Sequence, residues 1–422
     1  MHDYEVLARE VMARCETLAR FSENAGGIRR TFLSPPMRDC HREITNWVAP
    51  LGCKSKVDAA GNLRIRYPGT GVNGRTLSLL VGSHLDTVPN AGAYDGVLGV
   101  VISVALLRAI DGRRFPFAIE VVGFSEEEGI RFGIPFIGSR AMAGTLDDEV
   151  LERRDADGIS VREAIADFGL NPAEISSMAL REDENAIGYL EFHIEQGPVL
   201  ENSDRSLGVV EAIAGQSRLK FIFIGRANHA GTTPMNLRHD AVAAAAEWIG
   251  AVERRAKSVP DLVATVGAIQ AKPGVGNVIA GEAELSLDVR HRDDETRKAA
   301  VEYLVDQAKH IAKSRGLEVQ ILELVNQQAV AMDSFLSGQI AEAMQKAGCE
   351  PYRMVSGAGH DAMIMATKIP SAMIFLRTPG GISHDPAESV RVEDIAKAIE
   401  CGVQLLDQLA ASSKFLSFMP RT

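Results

Sequence analysis

The sequence predicts an α/β protein with helices on both faces of its sheet and a small α+β unit inserted into the chain. Two patterns along the 422 residues predict this arrangement. In the outer parts of the chain, apolar strand-like runs alternate with helical patterns, which is typical of a sheet between two helical layers. Between about 215 and 328 the order becomes strand–helix–strand–strand–helix–strand, which is typical of a smaller α+β unit. Because this length exceeds one compact core, two domains are expected.

The elements of the outer part follow from their periodicity. Helical patterns cover about 3–21 and 36–51, and two extended runs follow, "GNLRIRYPG" and "TLSLLVGS". A helix of small residues, "GVVISVALLRAI", then precedes the buried strand "FAIEVVGFS". The acidic stretch 145–186 predicts helices and loops that cover the edge of the sheet.

The inserted part begins near Gly215, where "SRLKFIFIG" alternates like a strand with one buried face. The amphipathic helix "HDAVAAAAEWIGAVERRA", two strands and a second long helix follow. From about 331 the first pattern returns, with "AMIFLR" as a strand, 391–411 as a helix and "SSKFLSFMPRT" as a loose tail. We therefore predict one discontinuous domain, 1–214 with 331–422, and one inserted domain, 215–330.

Charge and cysteine content limit the possible partners. A net charge of -11 argues against nucleic acid or an acidic membrane as the main partner. No apolar run reaches membrane-spanning length, and the charged amphipathic N-terminus lacks the apolar core of a secretory signal. The five cysteines are scattered and form no C-x-x-C pair, which suits a reducing compartment. We expect a cytoplasmic protein that binds neither nucleic acid nor membranes.

Five stretches place an acid or a histidine beside glycines at predicted strand ends or in loops: "VGSHLDTVPNAGAYDGVLG", "FSEEEGIRFGIPFIGS", "YLEFHIEQGPVLE", "GRANHAGTTPM" and "TPGGISHDPAE". Three adjacent carboxylates, Glu126–Glu128, repel one another, so they either face solvent or surround a cation. His193 lies within a strand and is either a core residue or a ligand. The loops around His229 and His384 expose their side chains, as functional loops do.

Metal binding is one explanation that accounts for most of these histidines and acidic residues. Divalent zinc or manganese takes imidazole nitrogens and carboxylate oxygens, and a hydrolytic pair of ions shares a bridging carboxylate. Two ions need roughly five protein ligands. The candidate ligands are His84, Asp95, Glu128, His193 and His384. Ligands from distant parts of the chain are expected at the carboxyl ends of several strands in an α/β sheet.

A known family is identified on the same stretches, since they resemble the di-metal amidohydrolases of the aminoacylase and glutamate carboxypeptidase clan. That family includes N-carbamoyl-L-amino-acid hydrolase, yeast-type β-ureidopropionase and allantoate amidohydrolase. The motifs that carry the resemblance span about 10–411 in order. It implies a di-metal peptidase-like catalytic domain with a central mixed sheet, and an inserted α+β domain that dimerises and acts as a lid.

The resemblance also implies roles around the metals. Its ligand sets are His84, Asp95 and His193 for one ion, and Asp95, Glu128 and His384 for the other, with Asp95 bridging. Glu127 would be the general base that takes a proton from water and later protonates the leaving nitrogen. Asp86 would orient the imidazole of His84. Asp385, beside His384, either tightens the ion or caps the next turn.

Substrate contacts are implied by the same resemblance. Asn277 and Arg290 would grip a substrate carboxylate, with the guanidinium acting as a fixed fork. Gln196 and His229 would contact the ureido end, and His229 would polarise the carbonyl. His360, in "VSGAGHDAM", either supports the metal loop or contacts substrate.

The choice of substrate depends on details of the motifs. Histidine at 193, followed by "IEQG", marks the carbamoylase and allantoate branch, because the carboxypeptidase relatives have a carboxylate there. The stretches "IRRTFLSPPMRDCHREITNWV", "AGAYDGVLGV" and "SGAGHDAMIMA" resemble allantoate amidohydrolases more. We therefore expect hydrolysis of one ureido group of allantoate to ureidoglycine, with release of ammonia and carbon dioxide.

Other functions remain open at this point. N-Carbamoyl-L-amino acids or N-carbamoyl-β-alanine are the alternative substrates, and an aminoacylase or dipeptidase would use the same metals. An inactive binding relative would be expected to lack Glu127 or a ligand, and all of them are present. The expected cofactors are two divalent ions, Zn²⁺ or Mn²⁺, and the expected partners are a small ureido carboxylate and a second copy of the chain.

Overall fold

A computed structural model describes residues 3–71, 77–180 and 186–412 of the chain. The chain divides into two compact units, the first comprising Met1–Glu211, Met332–Met354 and Gly359–Thr422. The second comprises Ala212–Ala331 with Val355–Ala358. The predicted loose tail lies outside the described residues from 413 onward. Among the helices of the described ranges, none combines the length and apolar character needed to cross a bilayer.

The part of the chain before 214 contains most of the first unit. Its helices are α1 (Tyr4–Ala19), α2 (Pro35–Val48), α3 (Val97–Ala109), α4 (Ile137–Ala143), α5 (Asp148–Leu151), α6 (Val161–Asp167) and α7 (Val199–Asn202), with 3₁₀ turns at Ala49–Leu51 and Pro172–Met178. Its strands are β1 (Ile28–Arg30), β2 (Lys54–Val57), β3 (Leu63–Tyr67), β4 (Leu77–His84), β5 (Thr87–Ala91), β6 (Phe117–Phe124), β7 (Ala186–Ile194) and β8 (Leu207–Ile213).

The second unit is an α+β layer with its own core. Its elements are β9 (Gly215–Ile224), β10 (Asn228–His229), a 3₁₀ turn (Met235–Leu237), α8 (Ala241–Ser258), β11 (Val263–Thr265), β12 (Ile269–Lys272), β13 (Val278–Ile279), β14 (Glu282–His291), α9 (Asp294–Ser314), β15 (Glu318–Gln327) and β16 (Val330–Ala331). Strands β11, β14, β9 and β15 form a sheet in that order, and β12 also pairs with β14. Every second residue of β9 and β14 is buried, so the predicted one-sided alternation is confirmed. Trp248 of α8 is fully buried and packs on Phe221 of β9.

The chain then returns to the first unit and completes a central mixed sheet. The remaining elements are α10 (Ser334–Lys346), β17 (Arg353–Ser356), α11 (Asp361–Met365), β18 (Ser371–Leu376), a 3₁₀ turn (Pro379–Gly381) and α12 (Val392–Ala411). The sheet runs β8-β18-β7-β4-β6-β3-β2. Its middle pairs β18–β7, β7–β4 and β4–β6 are parallel, and the pairs toward both edges are antiparallel. The predicted α/β class with a central mixed sheet is confirmed.

The strand register brings the predicted motifs to one edge of this sheet. His84 at the end of β4 pairs with Phe124 at the end of β6, and Ile194 at the end of β7 pairs with Leu376 at the end of β18. Four of the five motif stretches therefore follow the carboxyl ends of neighbouring parallel strands, where α/β proteins place their ligands.

Candidate metal centre

The carboxyl edge of the central sheet gathers histidines and carboxylates into three groups. In each group, one ligand atom per residue lies within 4.8 Å of the others. The groups are His84, Asp95 and His193; His84, Glu127 and Glu128; and Asp95, Glu128 and His384. The fold thus brings together the residues that the sequence nominated as ligands, and their assignment to metal ions stays a prediction.

The donor atoms of His84 and His193 fit a cation. Nδ1 of His84 lies 3.1 Å from the carbonyl oxygen of Asp86, and Nδ1 of His193 lies 2.9 Å from that of Ile194. Because a carbonyl only accepts, each Nδ1 donates its proton there, and in the neutral ring that binds a metal each Nε2 then has a free lone pair. The two Nε2 atoms are 3.3 Å apart, and Nε2 of His193 is 3.3 Å from Oδ1 of Asp95. Such electron-rich atoms repel one another unless a proton or a metal ion lies between them.

The Asp86 carboxylate holds the catalytic candidates in place. Its two oxygens accept the backbone N–H groups of Glu127, at 2.9 Å, and of Glu128, at 3.0 Å. Its Oδ1 lies 3.5 Å from Nδ1 of His84, farther than the Asp86 carbonyl oxygen. Asp86 therefore positions the glutamate pair through the backbone, a role that the sequence did not reveal, and contacts His84 through both its carbonyl and its carboxylate.

Glu126 differs from its two neighbours. It is fully buried, and its Oε2 accepts the N–H of Phe32 at 3.0 Å while its Oε1 accepts the N–H of Arg131 at 3.3 Å. Both bonds go to backbone groups away from the metal ligands, so Glu126 joins two chain segments. Of the three adjacent glutamates, only Glu127 and Glu128 face the ligand cluster.

The electrostatics of the cluster favour protons on its two glutamates, whereas at Asp95 burial is outweighed by His384, His193 and His84, which lower its pKa. Burial raises the pKa of Glu127 well above its ordinary value, and Glu128 and Asp361 raise it further, whereas His84 opposes the rise. Burial also raises the pKa of Glu128, with His384 acting in the opposite direction. A buried carboxyl with a raised pKa suits general acid–base chemistry.

The loop of His384 and the residue Gln196 approach the Asp95 carboxylate from the open side. Nε2 of His384 lies 3.0 Å from Oδ2 of Asp95 and 3.4 Å from Oε1 of Glu128. The side-chain amide of Gln196 donates to both Asp95 oxygens, at 3.1 and 3.2 Å. His384 and Gln196 both have a positive φ, which non-glycine residues adopt mainly where the surroundings impose it. Oδ1 of Asp385 accepts the N–H of Ala387, so Asp385 caps the turn after His384.

His360 lies beneath this cluster. It is buried, and its ring packs edge-to-face on His193, with 4.4 Å between centroids, and on Phe375, with 5.5 Å. This packing supports the His193 ring, so it favours the supporting alternative of the two that the sequence left open.

In the second unit, His229 presents a hydrogen-bond donor. Its Nδ1 accepts the N–H groups of Gly231 and Thr232, at 3.1 and 3.2 Å, so the ring proton must be on Nε2. The side chain is exposed, as the sequence predicted for this glycine-rich loop.

Arg290 in the second unit is held rigidly. Its Nε and Nη2 donate to the two oxygens of Asp288, at 2.8 and 3.0 Å, and its Nη1 donates to the carbonyl of Gly357. Asp288 also accepts from Arg218 at 2.9 Å. This bidentate pair fixes the plane of the guanidinium. Asn277 is exposed in the same unit, after β12.

Replacing Gly96 with alanine is expected to weaken metal binding. A Cβ at Gly96 would lie 2.3 Å from Cε1 and Nε2 of His84, so the imidazole must move. We expect the affinity for Mn²⁺ to fall by about 10–100-fold, the range found when the support of a ligand is lost. Titration of the metal-free protein with Mn²⁺ measures the effect.

The Gly112→Ala variant is the matched control for that experiment. Gly112 also has a positive φ, +76° against +65° for Gly96, but a Cβ there would meet nothing within 4 Å. Both variants should lose stability from backbone strain, and Gly96→Ala should lose more, because ψ at Gly96 is −53° and places it outside the left-handed α region. If Gly112→Ala lost the same affinity for Mn²⁺, strain rather than the His84 contact would explain the result.

Metal binding at pH 7 is expected to release protons. Hydrogen bonds that its ring donates to Asp95 and Glu128 raise the pKa of His384 to about 10, although burial opposes them. His384 therefore holds a proton at neutral pH, and a cation must displace a proton from its ring nitrogen to bind there. Affinity should rise with pH across the neutral range. Calorimetric titrations with Mn²⁺ in buffers of different ionisation enthalpy count the protons, and a count of zero would contradict this protonation state.

The chain is similar in sequence and in structure to known proteins. The sequence model of Peptidase family M20/M25/M40 matches residues 80–408. The chain is 38% identical over 436 residues to the allantoate deiminase of Arabidopsis thaliana, covering 96% of this chain and 82% of the relative. It is 40% identical over 389 residues to the N-carbamoyl-L-amino acid amidohydrolase of Geobacillus stearothermophilus, covering 92% and 94%. A hydantoinase/carbamoylase family amidase from Burkholderia multivorans superimposes with a TM-score of 0.90 at 30% identity, covering 96% of this chain and 98% of that one.

Proposed function

The chain belongs to peptidase family M20/M25/M40, and from this membership we propose that it hydrolyses a ureido C–N bond of allantoate. It is a metal-dependent amidohydrolase. The observation that carries the proposal is that two ligand groups share Asp95, with the buried carboxyl of Glu127 in a third group beside them. We assign two divalent ions, Zn²⁺ or Mn²⁺, to the two groups that share Asp95: His84, Asp95 and His193, and Asp95, Glu128 and His384.

The chemistry of each part follows from its contacts. Bound divalent ions would supply Lewis-acid activation of water and of the ureido carbonyl. Glu127 takes a proton from the attacking water and delivers it to the leaving nitrogen, and its raised pKa suits that transfer. Asp86 keeps Glu127 aimed by binding its backbone N–H. Burial of the cluster excludes bulk water and strengthens these interactions.

Recognition of the substrate is assigned to four polar side chains. Arg290 binds the substrate carboxylate with the N–H groups of Nη1 and Nη2 that Asp288 and the Gly357 carbonyl do not occupy, and Asn277 assists it. His229 donates from Nε2 to the carbonyl oxygen as charge develops there, and Gln196 contacts the ureido end. A homodimer through the second unit and a cytoplasmic location belong to the same proposal.

The second candidate substrate is an N-carbamoyl-L-amino acid. The relative from Geobacillus stearothermophilus, named for that activity, is as similar to this chain as the allantoate deiminase. An arginine that grips a carboxylate serves both substrates equally, so Arg290 does not separate them.

Ammonia release distinguishes allantoate from N-carbamoyl-L-amino acids as the substrate. The protein, reconstituted with Mn²⁺ or Zn²⁺, is assayed on allantoate and on a panel of N-carbamoyl-L-amino acids, with N-acetyl-L-amino acids tested for amine release. Turnover of allantoate alone is the expected result. Preferential turnover of carbamoyl amino acids would overturn the substrate but keep the ureido chemistry, and turnover of acetyl amino acids alone would overturn both. The Glu127→Gln protein, purified in parallel, excludes a contaminating activity.

A further inference from the structure

A buried glutamate outside the ligand groups connects two of the loops that carry them. Glu388 is 5% exposed, and its Oε1 accepts the backbone N–H groups of Tyr94 and Asp95, at 2.9 and 3.0 Å. Its Oε2 accepts from the hydroxyl of Ser383 at 3.2 Å. One carboxylate therefore binds the residue before His384 and the backbone of Asp95 at the same time.

The backbone around Glu388 places its carboxylate between the two loops. The N–H of Glu388 donates to the carbonyl of Asp385 at 3.0 Å, which closes the turn that begins directly after His384. Opposite, a Cβ at Gly92 would lie 2.4 Å from Cβ and Oε1 of Glu388, so the Asp95 loop approaches the glutamate as closely as a bare backbone allows. The contact between the two loops is thus closely packed as well as hydrogen-bonded.

We propose that Glu388 is a positioning residue that fastens the His384 loop to the Asp95 loop. It keeps Nε2 of His384 beside Oδ2 of Asp95, and so keeps the Asp95, Glu128 and His384 group at binding distance. His384 needs such support because its side chain is about half exposed and its backbone has a positive φ, whereas His84 and His193 are buried in strands. The inference rests on the proposed metal site.

The experiment compares two substitutions of Glu388, one that keeps the length of the side chain and one that keeps its charge. Glu388→Gln keeps the length of the side chain: its carbonyl oxygen can accept both N–H groups and its amide can donate to Ser383. Glu388→Asp keeps the charge but is one methylene too short to reach both loops. We expect Glu388→Asp to weaken binding of the second Mn²⁺ ion by about 10–100-fold, and Glu388→Gln to bind it nearly as the wild type does.

Binding is read from the electron paramagnetic resonance signal of free Mn²⁺ during titration of the metal-free protein, independently of any activity. Asp240→Ala is the stability control, because Asp240 also accepts two backbone N–H groups, those of Val242 and Ala243, in the second unit. It should lower thermal stability without changing either binding step.

The outcomes are distinguishable. Equal Mn²⁺ affinity in Glu388→Asp and the wild type overturns the positioning role. Loss in Glu388→Gln with retention in Glu388→Asp also overturns it, since the charge would then matter more than the reach. A wild type that binds fewer than two ions contradicts the proposed two-ion site instead, whatever the variants do.

Discussion

Replacing Glu127 with glutamine is expected to lower kcat by about 10²–10⁴-fold while the protein still binds its metal ions. Glutamine has the same shape but cannot take a proton from water. The backbone N–H that Asp86 holds is unchanged by the substitution, so the position of residue 127 is preserved. Ammonia release at saturating substrate measures kcat, and a Mn²⁺ titration of the same preparation measures metal binding.

The neighbouring Glu126→Gln variant is the control for this prediction. Burial, the nearby Asp86 and other carboxylates raise the pKa of Glu126 well above its ordinary value, as they do for Glu127, but Glu126 binds only backbone groups. We expect a loss of stability of about 1–3 kcal/mol, because the side-chain N–H₂ of glutamine faces one of the two buried backbone N–H groups and leaves it without an acceptor, with little change in kcat. A Glu127→Gln enzyme with normal kcat would remove Glu127 as the general base.

The fold could be predicted largely because its signals are local. The small-residue helix after the first motif and the alternating β9 and β14 are readable from periodicity alone. The strand of His193 is different. Every residue of β7 after Ala186 is buried because the strand lies between β18 and β4, so no period of two marks a core side there. For this reason, periodicity alone did not decide whether His193 is a core residue or a metal ligand.

The residues that support the site could not be predicted from spacing. Glu388 acts on Tyr94 and Asp95, nearly three hundred positions away in the chain, and nothing in "HDPAE" marks it apart from an ordinary surface glutamate. Asp86 was expected to orient His84, and its Oδ1 does lie 3.5 Å from Nδ1 of that ring, but its carboxylate also binds two backbone N–H groups that have no sequence signature. Asp288, which fixes Arg290, pairs with it two residues along one strand and was likewise missed. The histidine ligands could be predicted from the sequence because few other roles suit a histidine in such loops. The residues that hold the site in place are aspartates and glutamates, which are common on any protein surface.

Replacing Asp95 with asparagine is expected to reduce turnover by about 10³-fold or more, because several kcal/mol of transition-state stabilisation depend on the metal ions. Asp95 belongs to two of the three ligand groups, with Oδ1 3.3 Å from Nε2 of His193 and Oδ2 3.0 Å from Nε2 of His384. Asparagine removes the charge and turns an N–H₂ donor toward one of these imidazoles. Both ions should therefore bind more weakly, which a Mn²⁺ titration would show as loss of both steps.

The same variant tests the charge of the site without any metal. The hydrogen bond that His384 donates to Asp95 is the largest of the effects that raise the pKa of His384 to about 10. In metal-free Asp95→Asn protein, that pKa should fall toward the ordinary value, since only Glu128 still stabilises the protonated ring. Proton resonances of the imidazole, followed against pH, measure it, with Asp240→Asn as a control that removes one charge from the second unit. An unchanged His384 titration would mean that Asp95 and His384 do not meet in the metal-free protein, and the second ligand group would have to form only around the ion.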